Sequence, residues 1–301
     1  MNSFQANVCL LCVTLCWSTE VIIHSVIPDS VPPFATTCIT SLVGALLIFL
    51  CFRKKIINAV SNDTKKILLR CLILGILNCT YNLLYIFGLE YFDVSSGAFT
   101  FAMAAAVIPI VLLIMREKVN LRTWLSAGFV FIGILLAIAP NVDVSQTKGI
   151  IFVGLGCIVR AVYIVILNKY AKENDPITLS SLLSVIVSIL SIGLWFAFDP
   201  SGFGKIPWND QIIASLAIYS FVIVAFAQTL NIFAQKKSTP VNATIIYSTE
   251  IIFSVILGAL LPASIIDRTP LTLWIIMGAV MVVIGNLITI IPSHRESLDE
   301  E

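Results

Sequence analysis

Three ionisable side chains, Glu20, Arg160 and Glu250, lie well inside long apolar runs of this 301-residue chain. A lone charge at the centre of a bilayer costs roughly 3 kcal/mol on insertion scales, so such residues face a cavity, a ligand or one another. With both signs present, the chemistry they suit is recognition of a zwitterion or amine. Arg160 can hold a carboxylate, and Glu20 or Glu250 can hold an ammonium group or a coupling proton. The same three residues could instead pair with each other as structural glue.

Polar and aromatic residues recur at helical spacing around these charges. Trp17, Glu20 and His24 fall within one arc of a helix, as do Asn78, Tyr81, Asn82 and Tyr85, then Cys157, Arg160 and Tyr163, and finally Tyr247, Glu250 and Ser254. Facing lipid, such stripes would leave polar groups unsatisfied in hydrocarbon, so they are expected to look inward. The candidate substrate-binding residues are therefore Trp17, Glu20, Asn78, Tyr81, Asn82, Tyr85, Arg160, Tyr163, Tyr247 and Glu250. For the amides and phenols, hydrogen bonding between helices at about 0.6 kcal/mol each is the competing account. His24 fits a neutral, hydrogen-bonded histidine better than a relay. Gln228, Asn231 and Gln235 form one more stripe, read either as a gate or as side chains snorkelling to the interface.

The elements that must position these residues follow from composition. The chain is 58% hydrophobic and 12% charged, with mean hydropathy +1.00, against about 25% charged for a soluble domain. At about 20 apolar residues per crossing, it reads as ten spans: roughly 5–27, 34–52, 67–89, 94–115, 122–140, 147–168, 177–198, 210–235, 241–261 and 271–291. The first lacks a basic leader and a small-residue cleavage site, and is expected to be retained. With the N-terminus inside, 14 of the 18 Lys and Arg fall on cytoplasmic segments, Lys148, Lys205 and Arg268 fall outside, and Arg160 lies within a span. Both termini are then cytoplasmic.

Two stretches about 150 residues apart echo each other. Val94–Ala98, Arg116-Glu117-Lys118 and Leu121–Trp124 correspond to Val241–Thr244, Asp267-Arg268 and Leu271–Trp274. The expected organisation is an all-α membrane protein with a five-helix repeat over 1–145, a second over 146–292 and a cytoplasmic tail over 293–301. Five spans per repeat is odd, so the copies are inverted, an arrangement that places a binding site between halves that open to alternate sides.

At these residues the chain resembles the EamA-type transporters of the drug/metabolite transporter superfamily. The resemblance is carried by Trp17-Ser18, Pro32-Pro33-Phe34, Arg116-Glu117-Lys118-Val119 with Trp124, Ala161-Val162-Tyr163, Asp175-Pro176-Ile177-Thr178, and Tyr247 with Glu250. It implies a central cavity lined mainly by spans 1, 3, 4, 6, 8 and 9, with 5 and 10 at the periphery. Three positions depart from the family's pattern: Arg160 stands where Trp is usual, Ile251 where Pro often follows the glutamate, and Pro262-Ala263-Ser264 replaces a second Glu-bearing loop.

Other chemistry finds little support. Cys9, Cys12 and Cys16 include a C-x-x-C spacing, but no second pair or histidine completes a metal site, and no metal or cofactor is expected. There is no P-loop and no H-E-x-x-H, and Asp93–Gly97 lacks the G-x-S-x-G frame, so an enzyme is not expected. A net charge of +1 gives nucleic acid no footing. Pro109 offers a hinge or a static kink. Gly128, Gly133, Gly278 and Gly285 on spans 5 and 10 could support a homodimer, or serve lipid packing. The expected protein is a multi-pass secondary transporter of the cell membrane for a small organic metabolite, an amino acid or amine first. Export of amphipathic or cationic drugs is the alternative, and a scaffold or sensor the reading from another class.

Overall fold

A computed structural model describes residues 1–20, 23, 27, 31–62, 64–89, 91, 103–138, 147–200, 206–260 and 272–290. His24, Asp93–Gly97, Pro262–Ser264 and Arg268 lie outside them, as does the side chain of Ser254. Among the described residues the fold is all helix, with no strand. The helices are α1 (Ser3–Ser18), α2 (Pro33–Asn62), α3 (Thr64–Leu89), α4 (Ala104–Ile114), α5 (Leu121–Ile138), α6 (Thr147–Glu173), α7 (Pro176–Phe198), α8 (Asp210–Gln235), α9 (Pro240–Tyr247), α10 (Glu250–Leu260) and α11 (Leu273–Ile290). Five of them, α2, α3, α6, α7 and α8, are long and apolar enough by themselves to cross a membrane.

Local chemistry sets the helix starts. Asp175 caps α7 by accepting from the Thr178 N–H at 3.1 Å and its hydroxyl at 3.0 Å, and Pro176 takes the first turn, where a missing N–H costs nothing. Thr239 and Pro240 start α9 in the same way, and Asn209 caps α8. The stop of α4 needs no glycine. Arg116 adopts φ 63°, so its N–H reaches the Leu113 carbonyl and the Glu117 N–H reaches that of Leu112, both at 2.9 Å, closing a Schellman motif.

Three places depart from a regular helix, one of them Phe52 within α2 at φ −125° and ψ 23°. The ninth apolar run is divided by a turn at Ser248–Thr249, whose hydroxyls bond back to the carbonyls of Ile245 and Ile246. Residues Ser220–Ala227 of α8 form a π-helical stretch. The helix of α4, by contrast, runs on through Pro109.

Packing relies on close backbone approach where glycine allows it. Along α5 and α11, a Cβ on Gly133 would stand 2.6 Å from the Gly278 carbonyl oxygen, and one on Gly278 would stand 2.5 Å from that of Gly133. A Cβ on Gly285 would press on the Ser126 carbonyl at 2.9 Å, while the Ser126 hydroxyl donates to the Gly285 carbonyl at 2.7 Å. Three of the four glycines on expected spans 5 and 10 thus serve contact within one chain. Gly128 alone has open space beside it. Elsewhere α2 lies along α7, α3 along α6 and α7, and α1 against the last turns of α8 and against α9 and α10.

Candidate functional site

The expected site residues are brought together from five helices. The ring of Trp17 on α1 lies 5.0 Å from that of Tyr247 at the end of α9, tilted by 56°. Across from this pair, Tyr81 on α3 meets Tyr163 on α6 edge-on at 5.4 Å. Asn78 donates from Nδ2 to the Tyr81 hydroxyl at 2.6 Å and accepts on Oδ1 from Asn82 at 3.1 Å, giving α3 one continuous polar face. Tyr85 sits apart from these, packed with Met103 against Ala104, Val153 and Cys157.

The three charges share this space. Arg160 on α6 acts electrostatically on Tyr81, Tyr163, Tyr247 and Glu250, and Glu20 acts on Tyr81, Tyr219 and Glu250. Glu20, Arg160 and Glu250 form a triad of two carboxylates and one guanidinium, Glu20 two residues past the end of α1 and the others on α6 and α10. Each of them, with Asn78, Tyr81, Asn82 and Tyr85, is half-buried. Glu250 is the first residue of α10, so the turn at Ser248–Thr249 places a carboxylate at a helix N-terminus within the apolar run, where the backbone dipole favours it. Among the described residues, the Glu250 carboxylate accepts no hydrogen bond.

Glu20 is held differently. The hydroxyl of Tyr219 on α8 donates to Glu20 Oε1 at 2.5 Å. On the far side of the π-helical stretch, Gln228 donates from Nε2 to the Tyr163 hydroxyl at 3.3 Å. An α-helix turns about 100° per residue, so these two positions, nine apart, would point to opposite sides. A π-helix has about 4.4 residues per turn, and across the eight residues Ser220–Ala227 it brings them to within about 40° of each other. The widened turns let one helix serve both Glu20 and Tyr163. Tyr219 was not among the residues expected from sequence.

Two further contacts went unforeseen. The hydroxyls of Thr14 and Thr249 lie 3.3 Å apart, joining α1 to the turn between α9 and α10. Gln235 donates to the Tyr247 hydroxyl at 2.8 Å and to Asn231 at 3.3 Å, and Tyr247 in turn donates to Asn231. Asn231 and Gln235 are buried at 2% and 0% exposure, so the snorkelling account of this stripe does not hold. This polar knot shares Tyr247 with the Trp17–Tyr247 pair.

The same end of the bundle is tied by a second set of contacts. Asn168 donates to the carbonyls of Gln235 at 2.9 Å and Ser238 at 3.1 Å. Arg70 pairs with Glu173, donates to Asn174 at 2.9 Å and lies over the Tyr170 ring at 5.2 Å. Lys55 meets Asp175 at 2.7 Å. Burial works against the charge of Asp175, but Lys55 and the two donors of Thr178 outweigh it and hold the carboxyl below its usual range. No group of three or more His, Cys, Asp or Glu suited to a metal occurs among the described residues.

A half-buried group of mixed charge and two aromatic pairs thus occur among helices of which several are long and apolar enough to cross a membrane. The EamA-like transporter family matches residues 5–139 and 147–291 of the chain, one copy in each half. The chain belongs to this family and is a membrane transporter of the drug/metabolite superfamily. It is 27% identical over 233 residues to the uncharacterized transporter YyaM of Bacillus subtilis (strain 168), a match spanning 72% of this chain and 71% of that protein. In fold it resembles a crystal structure with a TM-score of 0.75 and 15% identity, covering 96% of this chain and 97% of the other.

Proposed function

We propose that this transporter carries a small organic zwitterion or amine, an amino acid being the first candidate, by alternating access between two inverted five-helix repeats. In this reading ten spans cross the cell membrane and both termini are cytoplasmic. The observation that supports it best is that Glu20, Arg160 and Glu250 lie within electrostatic reach of one another, with Arg160 also in reach of Tyr81, Tyr163 and Tyr247. Arg160 takes a carboxylate. Glu250, whose carboxylate has no hydrogen-bonding partner among the described residues, takes the ammonium group or a coupling proton, while Tyr219 holds Glu20 in place. The aromatic faces cover the apolar or cationic remainder of the ligand.

The contacts of Asn168, Arg70, Lys55 and the Asn231–Gln235–Tyr247 knot close the cytoplasmic side in this scheme, and must part for release to that side. Two carboxylates against one guanidinium leave the triad with a formal excess of negative charge. That excess favours a hydrophobic cation as the second reading of the substrate. A homodimer through α5 and α11 would have to form on faces other than the one used by Gly133, Gly278 and Gly285.

Thermal stabilisation of the purified protein by a panel of amino acids, amines, sugars, nucleotides and cationic drugs tests the substrate class. A ligand at 100 times its dissociation constant adds about 2.7 kcal/mol. Stabilisation by amino acids or amines that disappears in Arg160→Ala and Glu250→Gln is the expected result. Hits among hydrophobic cations that survive Arg160→Ala would replace the zwitterion with the drug-export reading, and binding indifferent to Arg160→Ala, Glu250→Gln and Glu20→Gln alike would refute charge recognition.

A further inference from the structure

A groove of about 580 Å³ opens on the outer face of the bundle between α2 and α7, away from the charge triad. Its walls are apolar on both sides of an irregularity in α2, where Phe52 leaves helical geometry at φ −125° and ψ 23°. Leu42, Leu46 and Phe49 line it before that break, Ile57 and Val60 after it, and Leu182 faces them from α7. Leu42, Leu46 and Ile57 are more than half exposed. On a protein set in a bilayer this groove lies against acyl chains, and its volume falls within the range of built ligand sites.

What separates it from ordinary lipid-facing surface is the charge at its end. Arg53 precedes Ile57 by four residues and Val60 by seven, which puts it on the helical face that lines the groove. Lys54 precedes Ile57 by three. Both are exposed, whereas Lys55 is turned to Asp175. The acidic residues described near this end, Glu173 and Asp175, are occupied by Arg70 and Lys55. Neither Arg53 nor Lys54 lines the groove itself, but their helical spacing from Ile57 puts positive charge beside its end.

We propose that this groove binds one anionic phospholipid, with an acyl chain along the α2–α7 seam and the headgroup on Arg53 and Lys54. Basic residues at the membrane boundary favour anionic over zwitterionic headgroups, and the break at Phe52 lets the same helix supply both the chain's wall and the headgroup's cations. The headgroup would sit beside the Lys55–Asp175 pair that fixes the start of α7, so occupancy would brace the junction between α2 and α7. The inference is independent of which substrate the triad binds.

Native mass spectrometry of the full-length protein, offered equimolar phosphatidylglycerol and phosphatidylcholine with identical chains, tests it. The wild type should retain one equivalent of phosphatidylglycerol several-fold over phosphatidylcholine. The double variant Arg53→Gln/Lys54→Gln should bring that ratio to about one, while Lys65→Gln/Lys66→Gln, equally exposed but on α3, should leave it unchanged. Leu46→Trp, which fills the groove, should lower retention of both lipids; Leu42→Phe serves the same purpose if that variant does not fold. Equal retention by the wild type would overturn the proposal. So would equal loss of selectivity in both double variants, which would make the effect a diffuse field of charge. A dimer in the mass spectrum that Leu46→Trp dissolves would assign the groove to a second copy of the chain and overturn it as well.

Discussion

Replacing Gly278 by alanine should be among the most damaging small changes available in the membrane core. The added methyl would stand 2.5 Å from the Gly133 carbonyl oxygen and 3.0 Å from the Ala137 Cβ, where ordinary contacts begin near 3.4 Å. Since the obstacle on α5 is backbone, no side chain can swing aside, and the helices must part by nearly 1 Å. Overpacking of this kind costs about 1–3 kcal/mol. Separation would also stretch the 2.7 Å bond from Ser126 to the Gly285 carbonyl, about two turns along the seam. Gly133→Ala meets the reciprocal obstacle at 2.6 Å and should cost about the same. Because either substitution parts the same two helices, the double variant should cost less than the sum. Gly128→Ala supplies the control. Nothing lies within 4 Å of its Cβ, and relief of glycine's helical penalty should leave it neutral or stabilised by up to about 1 kcal/mol. Equilibrium unfolding in mixed micelles reads all four. The destabilisation should not depend on protein concentration, because the contact lies within one chain. A Gly278→Ala variant as stable as Gly128→Ala would refute the packing argument, and a loss that vanished on dilution would move these glycines to a contact between chains.

Two other outcomes follow from the polar contacts. Tyr219→Phe removes the hydroxyl that donates to Glu20, and should destabilise by about 1–2 kcal/mol, between the typical interhelical bond in a membrane and a bond to a charged group; stability unchanged within about 0.3 kcal/mol would show that the bond contributes nothing. Asp175 tests the cytoplasmic-side ties by pH. Its folded-state carboxyl is held below the ordinary value, so its contribution is present above about pH 4 and is lost as pH falls below that toward the folded value. Asp175→Asn should flatten that part of the acid limb of a thermal-stability profile, and Lys55→Gln should shrink it. A limb unchanged in Asp175→Asn would assign the acid sensitivity to other groups.

Most of the helices, and half of each aromatic pair's significance, can be read from residue order alone. Apolar runs long enough to cross a bilayer are visible whatever packs on them, and Asp175-Pro176 and Thr239-Pro240 announce helix starts by local chemistry. Much of the family resemblance turns out to lie in such devices, since Arg116-Glu117 is a helix stop and Asp175–Thr178 a cap. The stripe Asn78, Tyr81, Asn82 was legible because it obeys the helical period. Its partner Tyr163 was legible as a candidate but not as a neighbour. The role of Gly133 and Gly278 was not legible, because a small residue signals close approach without saying to which helix.

The turn at Ser248–Thr249 and the site role of Tyr219 share one physical reason for escaping notice. Both depend on a departure from the 3.6-residue period, and the residues that make the departure are unremarkable apolar or hydroxylated ones: Ser220–Ala227 contains neither glycine nor proline. Read at constant period, Tyr219 points away from the face that carries Gln228, so assigning one to the cavity excludes the other. Widened turns remove that conflict, and they do so in the helix that must reach Glu20, just past α1, and Tyr163 on α6 at once. A helix with regular turns could satisfy one of these partners and would leave the other without its donor. The π-helical stretch is therefore best understood as the element that sets the geometry of the site, with the carboxylate of one repeat and the phenol of the other fixed against a single helix.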